Sequence, residues 1–206
     1  MLVLISGPSG AGKSSFLREL LARDERLTFS VSVTTRPPRA GEVDGTDYRF
    51  VADTEFDRLI AASAFVEWAT VHDNRYGTLA EDLDRTVDAG QVPVLDVDVQ
   101  GGVQVIDLFG DELVSVFLFP PSWAELERRL RHRSSDAESA IGRRLENARW
   151  EVGFAERYRY WIVNDDLDEA VASMRAIVIA EQCRRERYAT SPLPPTTAPS
   201  DPDNKP

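Results

Sequence analysis

The chain has 206 residues, of which 42% are hydrophobic and 29% charged, and its formal net charge is −11. This size and composition suit one globular domain that buries its own core, and the single cysteine, Cys183, excludes an internal disulfide. The acidic balance argues against a nucleic-acid-binding surface. The first apolar run follows Met1 directly and is too short for a secretion signal or a membrane span. We therefore expect a cytoplasmic protein without membrane attachment.

Hydrophobic periodicity predicts alternating strands and helices along the first half of the chain. The first predicted elements are a strand over 2–6 and a helix with Phe16, Leu17, Leu20 and Leu21 on its apolar face. A strand over 29–33, a turn-rich segment over 34–45 and a strand over 48–51 follow. Next come a helix over 54–63 capped by Thr54, a strand over 65–71, a turn over 73–77 and a helix over 79–89 closed by Gly90. The β-rich stretch from 29 to 78 interrupts the alternation and indicates an inserted subregion.

The second half continues the pattern with more strongly apolar strands. The predicted elements are strands over 92–99, 113–119 and 161–164 and helices over 122–131, 137–158 and 167–187, the first of these helices capped by Ser122. Together the two halves predict an α/β protein with a mostly parallel sheet flanked by helices. Residues 190–206 are polar and rich in proline, so we predict a disordered tail.

The segment from Gly7 to Ser14 fits the pattern G-x-x-x-x-G-K-[S/T] and lies between a predicted strand and a predicted helix. In such a loop, successive backbone N–H groups point at phosphate oxygens, the lysine reaches the β- and γ-phosphates, and the serine hydroxyl can bind Mg²⁺. Lys13 is one of only two lysines beside 22 arginines, and the other, Lys205, lies in the predicted tail. The strand–loop–helix context disfavours a chance match by a Gly/Ser-rich turn. The predicted ATP-binding residues of this loop are Gly7, Pro8, Ser9, Gly10, Ala11, Gly12, Lys13, Ser14 and Ser15.

Five further segments are similar to the guanylate kinase family in order and spacing, and with the loop they span the chain to about residue 185. They are 30–50, Phe-Val-Glu-Trp-Ala at 65–69, Tyr-Gly-Thr at 76–78, Leu-Asp-Val-Asp-Val-Gln-Gly at 95–101, and Ile-Val-Asn-Asp-Asp at 162–166. This resemblance implies transfer of the γ-phosphoryl group of ATP to GMP, and also to dGMP, giving ADP and GDP in purine nucleotide metabolism.

The resemblance also implies a division of the chain into parts of one domain over residues 1–189. The parts are a P-loop NTPase-type core over 1–30, 88–120 and 160–189, a GMP-binding subregion over about 31–87, and a helical arginine-rich lid over about 122–155. ATP and GMP are then the substrates, and no nucleic acid, membrane or obligate protein partner is expected.

Arg36 and Arg39 flank a Pro-Pro turn that brings two guanidinium groups near each other. Two such groups with tyrosine hydroxyls suit a monoester phosphate, and the resemblance implies this role for both arginines with Tyr48 and Tyr76. The alternative is that these arginines are solvated surface charges.

Guanine presents N1–H and an exocyclic amine side by side, so carboxylates are suited to bind it. The resemblance implies that Glu67 and Asp98 accept from this edge, with Ser32, Gly77 and Thr78 completing the GMP site. For Glu67, the alternative is an exposed carboxylate at the rim. Asp98 interrupts an apolar predicted strand near its carboxyl end, where ligands gather in open α/β sheets.

Asp96 lies two residues before Asp98, on the same face of the predicted strand. We interpret it as the carboxylate that organises Mg²⁺ through bound waters, with Ser14 as the hydroxyl ligand, so Mg²⁺ with ATP is the expected cofactor. The alternative is a structural acceptor for backbone N–H groups.

The densest positive charge lies at residues 128–133 and 143–144. The resemblance implies that Arg129, Arg133 and Arg144 belong to the lid and, with Lys13 and Arg36, form the catalytic set. For Arg128 and Arg143, a solvated helix face is the simpler interpretation. The resemblance further implies that Asn164 borders the adenine.

Two other functions are weighed against the enzyme. A non-catalytic guanylate-kinase-like module that binds phosphopeptides would lose the phosphate-binding loop, whereas this chain retains Gly12, Lys13 and Ser14. A kinase acting on a ribosyl phosphate is disfavoured by Glu67 together with Asp98 and by the paired Arg36 and Arg39.

Overall fold

The computed structural model describes residues 1–71, 73–132 and 138–188. The strands in these ranges are β1 (Leu2–Ser6), β2 (Leu27–Phe29), β3 (Val33–Thr34), β4 (Arg49–Phe50), β5 (Phe65–Val71), β6 (Asn74–Leu79), β7 (Val92–Asp96), β8 (Leu113–Phe119) and β9 (Tyr160–Val163). The helices are α1 (Lys13–Arg23), α2 (Asp53–Ala61), α3 (Ala80–Asp88), α4 (Val99–Phe109), α5 (Trp123–His132), α6 (Glu138–Val152) and α7 (Leu167–Gln182).

Five strands form a parallel sheet in the order β2-β7-β1-β8-β9. Its central strand β1 is buried along its whole length, as expected for a parallel sheet covered by helices on both faces. Phe16 of α1 and Met174 of α7 pack on one face, and Val105 of α4 packs on the other. Because all strands run the same way, the segments that follow β1, β7 and β9 meet at one edge of the sheet, where ligands bind in this kind of fold. The predicted α/β class is confirmed.

A second, four-stranded sheet has the order β4-β3-β6-β5. β5 and β6 form an antiparallel hairpin, and β3 pairs with β6 on its other side. Its core is small: Val33, Phe56 and Leu79 are buried together, and the rings of Phe56 and Phe65 stack with centroids 4.6 Å apart. This sheet is the β-rich insertion predicted between residues 29 and 78.

The predicted strand over 29–33 is wrong, because the chain changes sheets within it. β2 ends at Phe29, and the N–H of Ser30 makes one more hydrogen bond to the carbonyl of Val94 at 2.9 Å. The chain then crosses to the second sheet, where β3 begins at Val33. Alternation of apolar and polar residues reports which face is buried, but it carries no information on which strand is the partner.

The predicted strand over 92–99 is also too long. β7 ends at Asp96, and α4 begins at Val99 with Asp98 as its N-cap. No predicted element covers α4, because Gly101 and Gly102 weaken its helical pattern. Its cap and the burial of its apolar side against the sheet stabilise it instead.

Several other boundaries differ from prediction by a few residues. Thr54 does not cap α2, which begins one residue earlier after Ala52, a residue without a side-chain cap hydrogen bond. β6 already begins at Asn74, so the predicted turn is shorter. The helices predicted to end at 158 and 187 end at Val152 and Gln182. The strands over 65–71 and 113–119 are confirmed, as is Ser122 as a cap, whose hydroxyl accepts from the N–H of Glu125 at 3.1 Å.

Arg133 and the predicted tail over 190–206 lie outside the described residues. Within the described ranges, no helix combines the length and the apolar character that crossing a membrane requires.

Candidate active site

The phosphate-binding loop connects β1 to α1 at the carboxyl edge of the parallel sheet. Gly10 and Gly12 have φ angles of 94° and 93°, in the left-handed region that favours glycine. The N–H of Ala11 donates to the carbonyl of Pro8 at 3.0 Å, which curls the loop. A Cβ at Gly12 would lie 2.5 Å from Nδ2 of Asn164, so this position also excludes a side chain by contact.

Lys13 is the first residue of α1 and lines the cleft beside the loop. Its Nζ donates to the carbonyl of Gly7 at 2.6 Å, which folds the ammonium group back over the loop. Asp96 lies nearby at the end of β7: burial raises the pKa of this carboxyl group, and the charge of Lys13 opposes the rise. The loop therefore presents one ammonium group beside one carboxyl group at the strand ends.

Asn164 and Arg129 hold the outer side of the loop. Nδ2 of Asn164 donates to the carbonyl of Ala11 at 2.8 Å. Arg129 donates to the carbonyls of Ala11 and Asn164 at 3.3 and 3.2 Å, and its Nε donates to Glu125 at 2.8 Å. Hydrogen bonds from Arg128 and then Arg129 lower the pKa of Glu125 to about 2. The predicted lid residue Arg129 is thus joined to the loop, and Arg128 is an exposed ion-pair partner, as expected.

A cleft of about 390 Å³ lies on this outer side. Gly10, Gly12 and Ser15 of the loop region form one wall, and Arg129 and Asn164 form the other. Asn164 lies in the wall of this cleft, and its amide group donates to the carbonyl of Ala11 in the loop.

A second cleft, of about 260 Å³, opens on the other side of the loop, between the two sheets. Lys13 and Gly7 line one wall of it. The predicted acceptor-binding residues that line it are Ser32, Arg36, Arg39, Tyr48, Glu67, Tyr76 and Asp98. Residues from five separate segments of the chain thus meet in one cleft with the phosphate-binding loop; we call it the acceptor cleft.

Arg36 is buried at the base of the acceptor cleft, with 9% of its surface exposed. Its guanidinium group makes two hydrogen bonds to the carboxylate of Glu42, at 2.8 and 3.0 Å. Tyr48 lies against it with a ring centroid 5.3 Å from the guanidinium carbon. Hydrogen bonding to Glu42 raises the pKa of Arg36, and the hydroxyl of Tyr76 adds to the effect. Arg36 is therefore a shielded cation and not the solvated surface charge of the alternative interpretation.

Glu67 lies on β5 with only 4% of its surface exposed. Its Oε1 accepts from the hydroxyl of Thr78 at 2.7 Å. Burial raises the pKa of Glu67 to about 7, hydrogen bonding to Thr78 opposes the rise, and the charge of Asp98 adds to it. A Cβ at Gly101 of α4 would collide with Oε2 of Glu67. The carboxyl group is therefore held between Thr78 and the helix, which excludes the exposed rim position.

Asp98 is positioned by the start of α4 and not by a strand. Its Oδ1 accepts from the N–H groups of Gln100 and Gly101 at 2.6 and 3.2 Å. The other oxygen, Oδ2, makes no hydrogen bond within the described part of the chain. Asp98 also lines the acceptor cleft. Asp98 thus combines a capping role with a carboxylate oxygen that can accept from a ligand.

The remaining predicted site residues lie in other places. Ser14 is exposed in the first turn of α1, next to Lys13. Gly77 is buried in β6, where a Cβ would come within 2.8 Å of the ring of Phe65, so it serves the packing of the hairpin. Arg144 lies on α6 and lines neither cleft.

Three residues with clear roles in this geometry were not predicted. Glu42 binds Arg36, Gly101 makes room for Glu67, and Glu151 of α6 lines the acceptor cleft while its Oε2 accepts from the N–H of Ser9 at 3.3 Å. Sequence offered a signal only for Glu42, an acidic residue within a turn that also carries two arginines. The other two are defined by contacts between distant segments.

Comparison with known proteins shows the family of the chain. A family model described as Guanylate kinase matches residues 1–181. The guanylate kinases of Caldanaerobacter subterraneus subsp. tengcongensis and Geobacter sulfurreducens are 44% and 46% identical to the chain over 187 residues, which cover 91% of it and 90% and 92% of those proteins. A crystal structure of guanylate kinase from Anaplasma phagocytophilum is 35% identical and superposes with a TM-score of 0.75, covering 90% of this chain and 87% of that one. The chain belongs to the guanylate kinase family.

Proposed function

We propose that this protein transfers the γ-phosphoryl group of ATP to GMP, and to dGMP as a second acceptor, giving ADP and GDP. The observation that carries the proposal is the acceptor cleft, in which Lys13 of the phosphate-binding loop faces the same space as Arg36, Glu67 and Asp98. A phosphate donor held by the loop and an acceptor held by the opposite wall would meet there. Transfer between two bound nucleotides depends mainly on such positioning and on electrostatic stabilisation.

The acceptor phosphate would bind Arg36, Arg39, Tyr48 and Tyr76. All four line one region of the acceptor cleft, and the rings of Tyr48 and Tyr76 contact each other with centroids 5.9 Å apart. Guanidinium groups bind phosphate oxygens in pairs of parallel hydrogen bonds, and the phenol hydroxyls add further donors.

The guanine base would bind at the deeper end of the cleft, against Glu67 and Asp98. Its two adjacent N–H donors need acceptors, which an ionised Glu67 and the Oδ2 atom of Asp98 supply. Ser32 is buried at the same wall, and Thr78 holds Glu67 by its hydroxyl group. Adenine lacks these donors, so its binding would leave the buried carboxylates unpaired.

ATP would lie along the loop from Gly7 to Ser15, with its adenine in the cleft beside Asn164. The backbone N–H groups and Lys13 would bind its phosphates. Direct in-line transfer needs no protein nucleophile, because the acceptor phosphate is already an anion at neutral pH. Lys13 and Arg36 would stabilise the charge of the transferred group, and we assign the same role to Arg129, Arg133 and Arg144.

The donor set near Lys13 fits Mg²⁺ bound together with ATP. Ser14 offers a hydroxyl and Asp96 a carboxylate, and Mg²⁺ usually takes one or two such protein oxygens together with phosphates and waters. Within the described residues, no cluster of three or more His, Cys, Asp or Glu side chains could hold a metal ion by protein side chains alone. Bound there, Mg²⁺ would neutralise charge on the phosphates, while the charge of Lys13 favours the ionised form of Asp96.

We extend the proposal to the division of the chain into a core, a GMP-binding subregion over about 31–87 and a lid over about 122–155. The pairing of α5 and α6 through a small core of Leu126, Leu130 and Ala148 supports a separate lid. Closure of the lid would exclude water and limit hydrolysis of ATP. We also propose that the protein acts in the cytoplasm, where both substrates occur.

A phosphopeptide-binding module without catalysis is the weaker candidate. Such a module has no need of a phosphate-binding loop, yet Gly12 has the left-handed φ of a tightly curled loop and Lys13 folds its ammonium group over that loop. The curated relatives at 44% and 46% identity also carry the enzyme's name.

The test is an assay of ADP release from ATP with GMP, dGMP, AMP, UMP and ribose 5-phosphate as acceptors. We expect turnover with GMP and dGMP, and a kcat/KM at least about 10⁴-fold lower with AMP, because its binding would leave buried polar groups unpaired. Equal turnover with AMP would remove the assignment of the guanine site. Turnover with ribose 5-phosphate but not with GMP would favour the ribosyl phosphate kinase.

A further inference from the structure

Glu42 binds Arg36 in a way that the proposed phosphate-binding role of Arg36 does not by itself require. Oε1 of Glu42 accepts from Nη2 of Arg36 at 2.8 Å, and Oε2 accepts from Nη1 at 3.0 Å. Oε2 also accepts the backbone N–H of Arg39 at 2.7 Å, while the N–H of Glu42 donates to the carbonyl of Arg39 at 3.1 Å. The carboxylate is thus hydrogen-bonded to the backbone of the turn, and both of its oxygens accept hydrogen bonds from the guanidinium group.

A count of donors shows what this pairing leaves available on Arg36. A guanidinium group has five N–H donors. Glu42 takes two of them, and Nη1 gives a third to the carbonyl of Pro37 at 2.8 Å. The two donors that neither Glu42 nor Pro37 takes are on Nε and Nη2, along one edge of the planar group, and the hydroxyl of Tyr76, another proposed ligand of the acceptor phosphate, also hydrogen-bonds the guanidinium group. Two parallel donors on one edge match two oxygens of a phosphate.

The pair is shielded, unlike most ion pairs of this protein. The side chains of Arg36 and Glu42 are only 10% and 18% exposed, and the ring of Phe50 also packs 5.8 Å from the guanidinium carbon. Hydrogen bonding to Arg36, and then to the N–H of Arg39, lowers the pKa of Glu42. By contrast, Arg58 and Glu55 form an equally short two-bond pair with exposures of 67% and 41%. Screening by water weakens the second pair much more than the first.

We propose that Glu42 is a positioning residue for the acceptor phosphate. It holds Arg36 by the edge formed by Nη1 and Nη2, so that the adjacent edge, formed by Nε and Nη2, is left for the acceptor phosphate. Glu42 itself does not touch the acceptor and acts through Arg36. This inference rests on the proposed function, since it assigns the phosphate that Arg36 binds to GMP.

If Glu42 acted only through its negative charge, it would weaken binding of the acceptor phosphate and not strengthen it. The two hypotheses therefore predict opposite effects of a substitution at Glu42. A carboxylate beside a phosphate site lowers the positive potential and should weaken binding of a dianion. If Glu42 contributed only its charge, Glu42→Gln would lower the KM for GMP. If Glu42 positions Arg36, the same change removes one of the two hydrogen bonds between the side chains, and the KM for GMP rises.

The experiment measures steady-state kinetics of Glu42→Gln, with Glu55→Gln as the matched control that removes one charge from the exposed pair. We expect the KM for GMP to rise about 10-fold in Glu42→Gln, because hydrogen bonds to charged groups have about this effect, and the KM for ATP to stay within about twofold. Glu55→Gln should leave both constants at their wild-type values. An unchanged or lower KM for GMP in Glu42→Gln would overturn the proposal.

A double-mutant cycle tests whether Glu42 acts through Arg36. In an Arg36→Lys background, which cannot present the two-donor edge, Glu42→Gln should change the KM for GMP by less than about twofold. The same factor in both backgrounds would overturn the role of Arg36. If Glu42→Gln lowers the Tm more than Glu55→Gln does, Glu42→Asp is used in its place. Aspartate keeps the negative charge, but its side chain is one methylene shorter and cannot bind Arg36 in the same way. A KM for GMP equal to that of the wild type in Glu42→Asp would again contradict the positioning role.

Wild-type protein assayed in parallel separates this inference from the proposed function. If the wild type does not phosphorylate GMP, the proposed function fails and Glu42 has no acceptor phosphate to position. If the wild type is active and Glu42→Gln matches it, only the positioning role fails.

Discussion

The phosphate-binding loop and the acceptor cleft, the two proposed phosphate sites, are built from different parts of the chain. The loop uses backbone groups of eight consecutive residues, Gly7 to Ser14, fixed between a buried strand and a buried helix. The acceptor cleft is lined mainly by side chains from residues 32 to 98, most of them on or next to the second sheet, whose core is much smaller. A site made of backbone needs glycines and one lysine, whereas a site made of side chains depends on how each charged group is buried and hydrogen-bonded.

That difference determines where each region is sensitive to change. In the loop, an added side chain is excluded by backbone conformation and contact, as at Gly12. In the acceptor cleft, the costly groups are the ionisable ones, since Glu67 is buried without a cation in hydrogen-bond contact among the described residues. The loop should therefore respond to steric and catalytic substitutions, and the cleft to changes of charge and pH.

The largest effect is expected for Lys13→Ala in the loop. Loss of the ammonium group removes charge stabilisation of the transferred phosphoryl group, so kcat should fall about 10²- to 10³-fold. The exposed Arg18 on the same helix provides the control, because Arg18→Ala removes an equal charge outside both clefts. Both variants should keep the wild-type Tm in a thermal melt. A Lys13→Ala enzyme with normal kcat would mean that the loop is not the donor site.

In the acceptor cleft, Glu67→Gln should reduce specificity. An amide at this position offers a donor where guanine also presents donors, so kcat/KM for GMP should fall roughly 10²-fold while that for AMP does not fall. Assays with the two nucleotides give the ratio directly, and Glu55→Gln serves as the control. An unchanged ratio of GMP to AMP activity would show that Glu67 does not contact the base.

The same carboxyl group should make stability depend on pH. Burial raises the pKa of Glu67 from 4.5 to about 7. The folded protein thus binds this proton more tightly than the unfolded chain, and the contribution to stability is complete below pH 4.5 and lost as the pH rises to about 7. The loss should be about 3 kcal/mol in the free energy of unfolding.

Urea unfolding at several pH values between 4.5 and 7.5 measures this contribution. Glu67→Gln cannot lose the proton, so the difference in free energy between wild type and variant isolates the effect from that of other carboxylates. A difference that stays constant with pH would contradict a raised pKa. For GMP binding the sign is reversed, since the ionised carboxylate is the form that accepts from guanine.

The smallest effect is expected for Gly101→Ala, which tests how the core sets the cleft. The new methyl group would collide with Oε2 of Glu67 and displace the carboxyl group, so the KM for GMP should rise about 10-fold with little change in KM for ATP. Gly142→Ala is the matched control, because this glycine also lies in a helix but has no atoms within 4 Å of the added carbon. If both variants behaved alike, helix propensity and not contact with Glu67 would explain the result.

Much of the fold and of the site could be predicted locally. The strand over 2–6, the loop after it and the following helix are encoded by consecutive residues, and the structure agrees with all three. Arg36 and Arg39 could be singled out because a Pro-Pro turn lies between them. The two largest failures, the strand over 29–33 and the missing helix α4, have one cause: distant parts of the chain determine which strands pair and which helix faces are buried.

By itself the sequence determined the α/β class and the strand–loop–helix unit at Gly7 to Ser14, which follow from periodicity and from the pattern of glycines. The residues of an acceptor site are what the family resemblance implied, supported by the fit of charged groups to a ligand. Only the tertiary structure decided that Glu42 is the partner of Arg36, that Asp98 caps α4, and that Glu67 is buried beside Gly101. With 22 arginines and 35 acidic residues in one chain, sequence allows many pairings, and the packing of the two sheets selects among them.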